Sequence, residues 1–225
     1  VLQYVARSKN RPELVIASSS SIYGHSHTAD LREGNDIQFS WQNNPLIGYA
    51  MSKFTNEIQA MAYRNDHGIP VAIPRLFNAV GPRQSGTYGF VLPRFIKQAV
   101  TGVPLTVFGD GSQTRSFCDV RDTIVALDLL AKNPAAWGQP VNVGGTQEIA
   151  ILDLAKMVIQ RTESASCIEH VPFEKAYGSH FEGIQQRRPV IEKLQEMTSF
   201  KPAWTLEMTI DDLLEREMIA AGGKG

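Results

Sequence analysis

Cysteine is scarce in this chain: Cys118 and Cys167 are the two among 225 residues, and no CxxC spacing connects them. That excludes a disulfide framework and a zinc ribbon, and both thiols read as reduced and structural. Long apolar runs are missing as well. No stretch of about 18 apolar residues could span a bilayer, and residues 1–13 lack the apolar core of a signal peptide. A soluble cytoplasmic protein is expected. Neither sign of charge is in excess, since 22 Lys and Arg face 23 Asp and Glu for a net charge of −1. The chain as a whole therefore lacks the electrostatic footprint of a nucleic-acid or anionic-membrane binder. The five histidines, His25, His27, His67, His170 and His180, make no HExxH or Cys/His spacing, so no metal site is expected. No repeat or low-complexity segment occurs.

What is present is ordinary globular material, 43% hydrophobic and 20% charged. Leu14 to Ser18 reads as a buried strand. Asn44 and Pro45 form a helix start signal, and Gly68 is the matching stop. Between them Ile47, Met51, Phe54, Ile58 and Met61 recur at three and four, an apolar stripe expected to pack on a sheet. Val71 to Leu76 then reads as a second buried strand. A strand, helix, strand unit of this kind predicts a parallel pair and doubly wound α/β architecture.

Further along, the pattern predicts a loop to Gly89, a helix near 92–101, a strand in "LTVFG", a turn in "GDGSQT" and a helix near 122–132. A strand in "PVNVGG", a helix near 152–161, an isolated strand at 168–171, a long loop over 177–186 and two closing helices follow. Thr209 with Asp212 reads as a capping box for the last helix. The chain opens inside what reads as the end of a helix, so residues ahead of Val1 are expected to belong to the domain.

Tyr49 and Lys53 lie four apart, on one helix face that is not the apolar stripe. An ammonium about 5–6 Å from a phenol favours the phenolate, which a tyrosine base acting near neutral pH needs. In isolation the pair fits a solvated amphipathic face better. "ASSSSIYG" sits at the carboxyl end of the preceding strand, where ligands bind in open parallel sheets. By themselves its serines also fit a polar strand end with local backbone bonds. Serine at a strand end, followed some thirty residues later by YxxxK on the next helix, is a much less common constellation.

In order along the chain, "SSSSIYG", "NPLIGYAMSK", "RLFNAVGPRQ", "VFGDGSQTRSF" and "VNVGG" closely resemble the extended short-chain dehydrogenase/reductase family of NAD-dependent nucleotide-sugar epimerases and dehydratases. The resemblance implies a Rossmann-like doubly wound parallel sheet, bound NAD, and a UDP-sugar lying between that sheet and a smaller mixed α/β lobe. Residues 1–80 would be the later part of the NAD-binding domain. Residues 81–225 would be mainly the nucleotide-sugar lobe, with 103–145 partly returning to the sheet. The family's catalytic positions fall on Ser19, Tyr49 and Lys53: Tyr49 as base on a sugar hydroxyl, Lys53 holding the nicotinamide ribose, Ser19 bonding the reacting oxygen. Leu76 joins Tyr49 and Lys53 on the cofactor side. Substrate-binding positions fall on Ser20, Ser21, Asn78, Val91, Phe108, Gln113, Arg115 and Arg187, with Asn78, Arg115 and Arg187 at the diphosphate. A forked guanidinium suits a diphosphate in charge and geometry. A homodimer through the YxxxK helix is also implied.

Two departures stand out. The GxxGxxG turn and the ribose-binding acid, which in this family lie upstream, are absent, so the chain resembles the C-terminal two-thirds of such an enzyme. The Asp often found three residues after the late phosphate-binding Arg is here Val190. The family's 4,6-dehydratases carry Asp and Glu where this chain has Ser20 and Ser21, and its UDP-glucuronate decarboxylases usually keep the Glu. Without those carboxylates the resemblance favours a UDP-sugar 4-epimerase working through a 4-keto intermediate, on UDP-glucose or UDP-glucuronate. UDP-glucuronate decarboxylase and 4,6-dehydratase are the alternatives. A chain that truly begins at Val1 would instead be a sugar-nucleotide-binding module.

Overall fold

The structure is a computed structural model that describes residues 1–24, 28–39, 46–84, 90–173, 175 and 186–222. The predicted cap at Asn44 and Pro45, residues 85–89 of the loop to Gly89, most of the 177–186 loop and His25, His27 and His180 lie outside the described residues. Among the described residues no helix is long and apolar enough to cross a membrane.

After a short helix, α1 (Leu2–Arg7), the predicted first strand appears in two pieces, β1 (Leu14–Val15) and β2 (Ser18–Ser19), broken at Ile16 and Ala17. A 3₁₀ turn (Ser20–Tyr23) and β3 (Asp30–Leu31) lead to the long helix α2 (Leu46–His67). Gly68 ends α2 with φ +65°, the left-handed conformation that a side chain disfavours, and its N–H bonds the Arg64 carbonyl at 2.9 Å. β4 (Val71–Leu76) follows at the predicted residues and runs parallel to both pieces of the first strand. Its other edge pairs, also in parallel, with β9 (Pro140–Val143). Five consecutive residues of β4 are buried, as a strand covered on both faces requires.

The remaining strands form two-stranded ribbons. β5 (Ala79–Val80) pairs in parallel with β8 (Cys118–Asp119), and β7 (Thr114–Ser116) is antiparallel to β10 (Glu148–Ala150). The predicted isolated strand is not isolated: β11 (Ile168–Val171) runs parallel to β6 (Leu105–Phe108). A partner so distant in sequence leaves no local signature. β12 (Arg188–Pro189) is parallel to β3.

Helices α3 (Val91–Val100), α4 (Val120–Ala131), α5 (Ile151–Thr162), α6 (Glu192–Thr198) and α7 (Leu206–Gly222) complete the chain. α3 packs between α5 and α7 and buries Leu92, Phe95, Ile96 and Ala99. Each large apolar side chain so buried contributes about 1.5–3 kcal/mol. A second cluster joins α4 and α6 to the sheet through Ala72, Leu130, Val141 and Leu194.

Two local expectations are corrected. The cap of α7 is not a Thr209 and Asp212 box, because the helix starts earlier. The Thr205 hydroxyl accepts from the Met208 N–H at 3.2 Å, and the Thr209 hydroxyl donates to Asp119 Oδ2 at 2.7 Å. The apolar stripe of α2 does not lie flat on the sheet either. Met51 and Ile58 are 48% and 47% exposed, while Ala50, Ala60 and the charged Glu57 are buried. Glu57 is bonded to Arg75 and Ser18, so a polar network rotates the helix away from the face its apolar residues alone would bury.

Candidate active site

In register, Ser19, Leu76 and Val143 end the three neighbouring parallel strands. This is the carboxyl edge, where open α/β sheets bind ligands. Past Ser19 the chain turns at once into the 3₁₀ helix, and the Ser19 oxygen accepts the Ser21 N–H at 3.1 Å. A hydroxyl has two acceptor sites and one proton, so this bond leaves the Ser19 proton for another group. Ser20 is buried and Ser21 half-buried on the same turn.

From α2, Lys53 Nζ donates to the Ala17 carbonyl at 2.9 Å, at the break between β1 and β2, and sits 5.7 Å from the Tyr49 ring centroid. Tyr49 is half exposed. Tyr49, Lys53 and Ser19 therefore meet at one end of the sheet, the helix supplying two and the strand one. Leu76, from the cofactor side of the predicted set, is half-buried on the neighbouring strand.

Past Leu76 the chain reaches Asn78, whose Nδ2 donates to the Ser116 carbonyl at 2.8 Å while its own carbonyl accepts the Cys118 N–H at 3.2 Å. Asn78 thus clamps the segment that carries Arg115. Gln113 also holds backbone, its Nε2 donating to the Phe108 carbonyl at 3.1 Å. Phe108 has the Arg94 guanidinium 4.6 Å from its ring centroid, and Val91, first residue of α3, packs against the core behind it. These amide side chains are occupied in shaping the segment, a use that sequence spacing does not reveal.

Arg115 and Arg187 come together from separate parts of the chain. Burial, with the nearby Arg115 charge adding to it, pushes the Arg187 guanidinium down to about 10. Among the described residues Arg187 pairs with no carboxylate, and its one hydrogen bond is a 3.5 Å contact to the Gly24 carbonyl. Two guanidiniums gathered in a sheltered place suit a group with more than one negative charge. The missing Asp at position 190 is replaced by backbone. Val190 N–H bonds the Leu31 carbonyl at 2.9 Å, and Arg188 Nε bonds Asp30 Oδ1 at 2.6 Å, so the β12 ribbon fixes the residue before it. Arg188 is a structural ion-pair partner, unlike its neighbour.

Sequence reading missed Glu57, Arg75, Tyr23 and Asn142, which form a buried network directly beneath Ser19. A charged residue at the centre of each of two apolar-looking elements was the available signal. Among the described residues no group of His, Cys, Asp or Glu is placed to hold a metal.

The profile of the NAD dependent epimerase/dehydratase family matches residues 1–144. The chain belongs to that family. Within it, the chain is 36% identical to the UDP-N-acetyl-alpha-D-glucosaminuronate decarboxylase of Bacillus cytotoxicus, over 93% of this chain and 65% of that protein. It is 32% identical to UDP-glucuronic acid decarboxylase 1 of Arabidopsis thaliana, over 94% of this chain and 47% of that protein. The chain thus spans between about half and two-thirds of these epimerase/dehydratase relatives. Among solved structures, the UDP-glucose 4-epimerase of Thermotoga maritima with UDP-glucose superposes with a TM-score of 0.84 at 18% identity, over 98% of this chain and 67% of that one. The UDP-glucuronic acid 4-epimerase of Bacillus cereus with UDP-glucuronic acid and NAD gives 0.81 at 24%, over 96% and 65%. These likenesses establish the shared Rossmann-type α/β fold.

Proposed function

We propose that this chain carries the catalytic and sugar-nucleotide-binding residues of a UDP-sugar 4-epimerase that works through a 4-keto intermediate. The observation that carries the reading is the meeting of Ser19, Tyr49 and Lys53 at the carboxyl edge of the parallel sheet. Ser20 and Ser21, in place of carboxylates, support it, because elimination of water from the sugar needs an acid and a base that they do not supply.

The residues divide the work by their chemistry. Tyr49 is the base that takes the proton of the C4 hydroxyl. Ser19, whose hydroxyl proton is uncommitted among the described residues, bonds the same oxygen. Lys53 spends one of its three donors on Ala17, so two remain for the ribose hydroxyls of a bound dinucleotide, and the chain fits the nicotinamide end of NAD. NAD, when bound, supplies the acceptor and later the donor of the C4 hydride. Tyr49 returns its proton when the hydride comes back to the opposite face of the 4-keto sugar, so the sugar loses and regains one proton and one hydride. Arg115 and Arg187 hold the diphosphate, the segment shaped by Asn78 and Gln113 holds the uridine beside Phe108, and Ser20, Ser21 and Val91 border the sugar. Residues 1–80 with β9 serve the dinucleotide side, and most of 81–225 serves the substrate. The half-exposed Met51 and Ile58 of α2 suit the interface of a homodimer.

Decarboxylation is the second reading, favoured by the 36% and 32% identical relatives. A 4-keto uronate is a β-keto acid. Its C5–C6 electron pair moves towards the C4 carbonyl as CO₂ leaves, and C5 then takes a proton, so no carboxylate side chain is needed to expel the group. Proton NMR in D₂O separates the readings, using the full-length protein, NAD, UDP-glucose, UDP-glucuronate and UDP-N-acetylglucosaminuronate. Inversion at C4 without deuterium in the sugar supports the epimerase. CO₂ release with deuterium at C5 replaces it by the decarboxylase, and loss of water with deuterium at C5 by the dehydratase.

A further inference from the structure

One register step below the row Ser19, Leu76, Val143 lies a row of three polar residues, Ser18, Arg75 and Asn142, side by side across the parallel strands. All three are buried, with Ser18 at 2%, Arg75 at 4% and Asn142 at 0% exposure. Parallel strands covered on both faces are normally apolar, because each buried polar group costs free energy unless it is bonded.

Here every member is bonded. Glu57, one turn beyond Lys53 on α2, accepts from Arg75 through both carboxylate oxygens, at 3.0 and 2.8 Å, and from the Ser18 hydroxyl. Arg75 Nη1 also donates to the Tyr23 hydroxyl at 3.0 Å and to the Glu33 carbonyl at 3.1 Å. The Tyr23 hydroxyl in turn donates to Asn142 Oδ1 at 2.7 Å. Asn142 Nδ2 binds the Leu31 and Val190 carbonyls at 2.8 and 3.2 Å, beside the strand that fixes Arg187. Burial pushes the Tyr23 phenol up, against the opposing pull of Arg75, so it keeps the proton it donates.

This arrangement exceeds what stability asks for. A buried ion pair is often replaceable by apolar side chains at little cost, so its presence points to geometry rather than strength. Through these bonds α2, which carries Tyr49 and Lys53, is tied to Ser18 beside Ser19 and to Arg75 beside Leu76, and Asn142 continues the network to the β3–β12 segment next to Arg187.

We infer that Glu57, Arg75, Tyr23 and Asn142 are positioning residues. They lock the height and rotation of α2 over the sheet, so that Tyr49 and Ser19 address the same substrate oxygen. The inference rests on the C4-oxidation reading above. It concerns the step that the epimerase, decarboxylase and dehydratase outcomes share, and a displacement of about 1 Å at such a site costs about a hundredfold in rate.

The test uses the full-length protein and the paired substitution Glu57→Leu with Arg75→Met, which removes both charges. Three quantities are read: melting temperature, single-turnover absorbance of NADH at 340 nm with a UDP-sugar, and amide hydrogen exchange at Ser21, whose N–H reports the Ser19 hydroxyl. The expected result is a melting temperature close to that of the parent, NADH formation slowed about a hundredfold, UDP-sugar affinity unchanged and Ser21 exchange accelerated. NADH formation within about threefold of the parent, with Ser21 exchange unchanged, overturns the inference and leaves the network a stabilising feature only.

Tyr23→Phe is the second variant, since it deletes one hydroxyl and keeps the ring packed on Phe77. A slowing of about tenfold is expected, and parental rate and Ser21 exchange in this variant also overturn the inference. An unmodified protein that forms NADH but yields no C4 epimer refutes the epimerase reading while leaving the positioning role standing. One that forms no NADH with any UDP-sugar refutes both.

Discussion

Lys53 Nζ stands 2.9 Å from the carbonyl oxygen of Ala17, at the break in the first parallel strand. The ammonium is held by this backbone carbonyl near the carboxyl edge of the sheet, with the Tyr49 ring centroid 5.7 Å away. Lys53→Met is expected to slow single-turnover NADH formation by about a hundred- to a thousandfold. Tyr49→Phe is expected to be as severe, because general-base catalysis contributes about that much. Tyr49 is half exposed, so the melting temperature of Tyr49→Phe should match the parent, which calorimetry checks.

Arg187 predicts opposite effects on binding and on stability. If Arg187 holds the diphosphate as proposed, Arg187→Met should weaken UDP binding about ten- to a hundredfold by titration calorimetry. The same change relieves burial of a cation close to Arg115, so the ligand-free protein should melt about 2–4 °C higher. A variant that loses stability together with affinity would contradict the phosphate role.

Asp119 caps α4 and receives Arg121, Thr209 and the Arg121 N–H. Burial raises its carboxyl, but these bonds outweigh burial and hold it below the usual carboxylate range. A carboxyl lowered on folding contributes stability that is complete above its unfolded value of about 3.9 and fades as pH falls through the folded value. Asp119→Asn should cost about 2 kcal/mol at pH 7 by urea unfolding, and the gap should close as pH drops below about 4.

Ser116 Oγ is buried without a hydrogen-bond partner among the described residues, although the Ser116 carbonyl is held by Asn78. An unsatisfied buried hydroxyl costs about 1–3 kcal/mol, so Ser116→Ala should stabilise the ligand-free protein by about 1 kcal/mol in thermal unfolding.

The fold was largely legible because its signals are local. The run Val71 to Leu76, the punctuation at Gly68 and the β-branched "PVNV" segment each mark an element within a few residues. The pairing of Tyr49 and Lys53 was legible for a related reason: four residues make about one helical turn, so YxxxK fixes the two on one face wherever the helix packs. The partner of Ile168–Val171, the true cap at Thr205 and the role of Asn78 as a clamp were not legible, since each depends on a contact made far along the chain.

The sequence by itself determined the order of the longer strands and helices, Ser19 at a strand end with Tyr49 and Lys53 on one face of the next helix, and the family to which the chain belongs. Only the tertiary structure decided which face of α2 is buried, because Glu57 finds Arg75 and Ser18 there and a satisfied buried charge outweighs the apolar stripe. It also decided that Arg115 and Arg187 stand together while Arg188 does not join them. Neighbouring residues in an extended segment point in opposite directions, and β3 captures one of them.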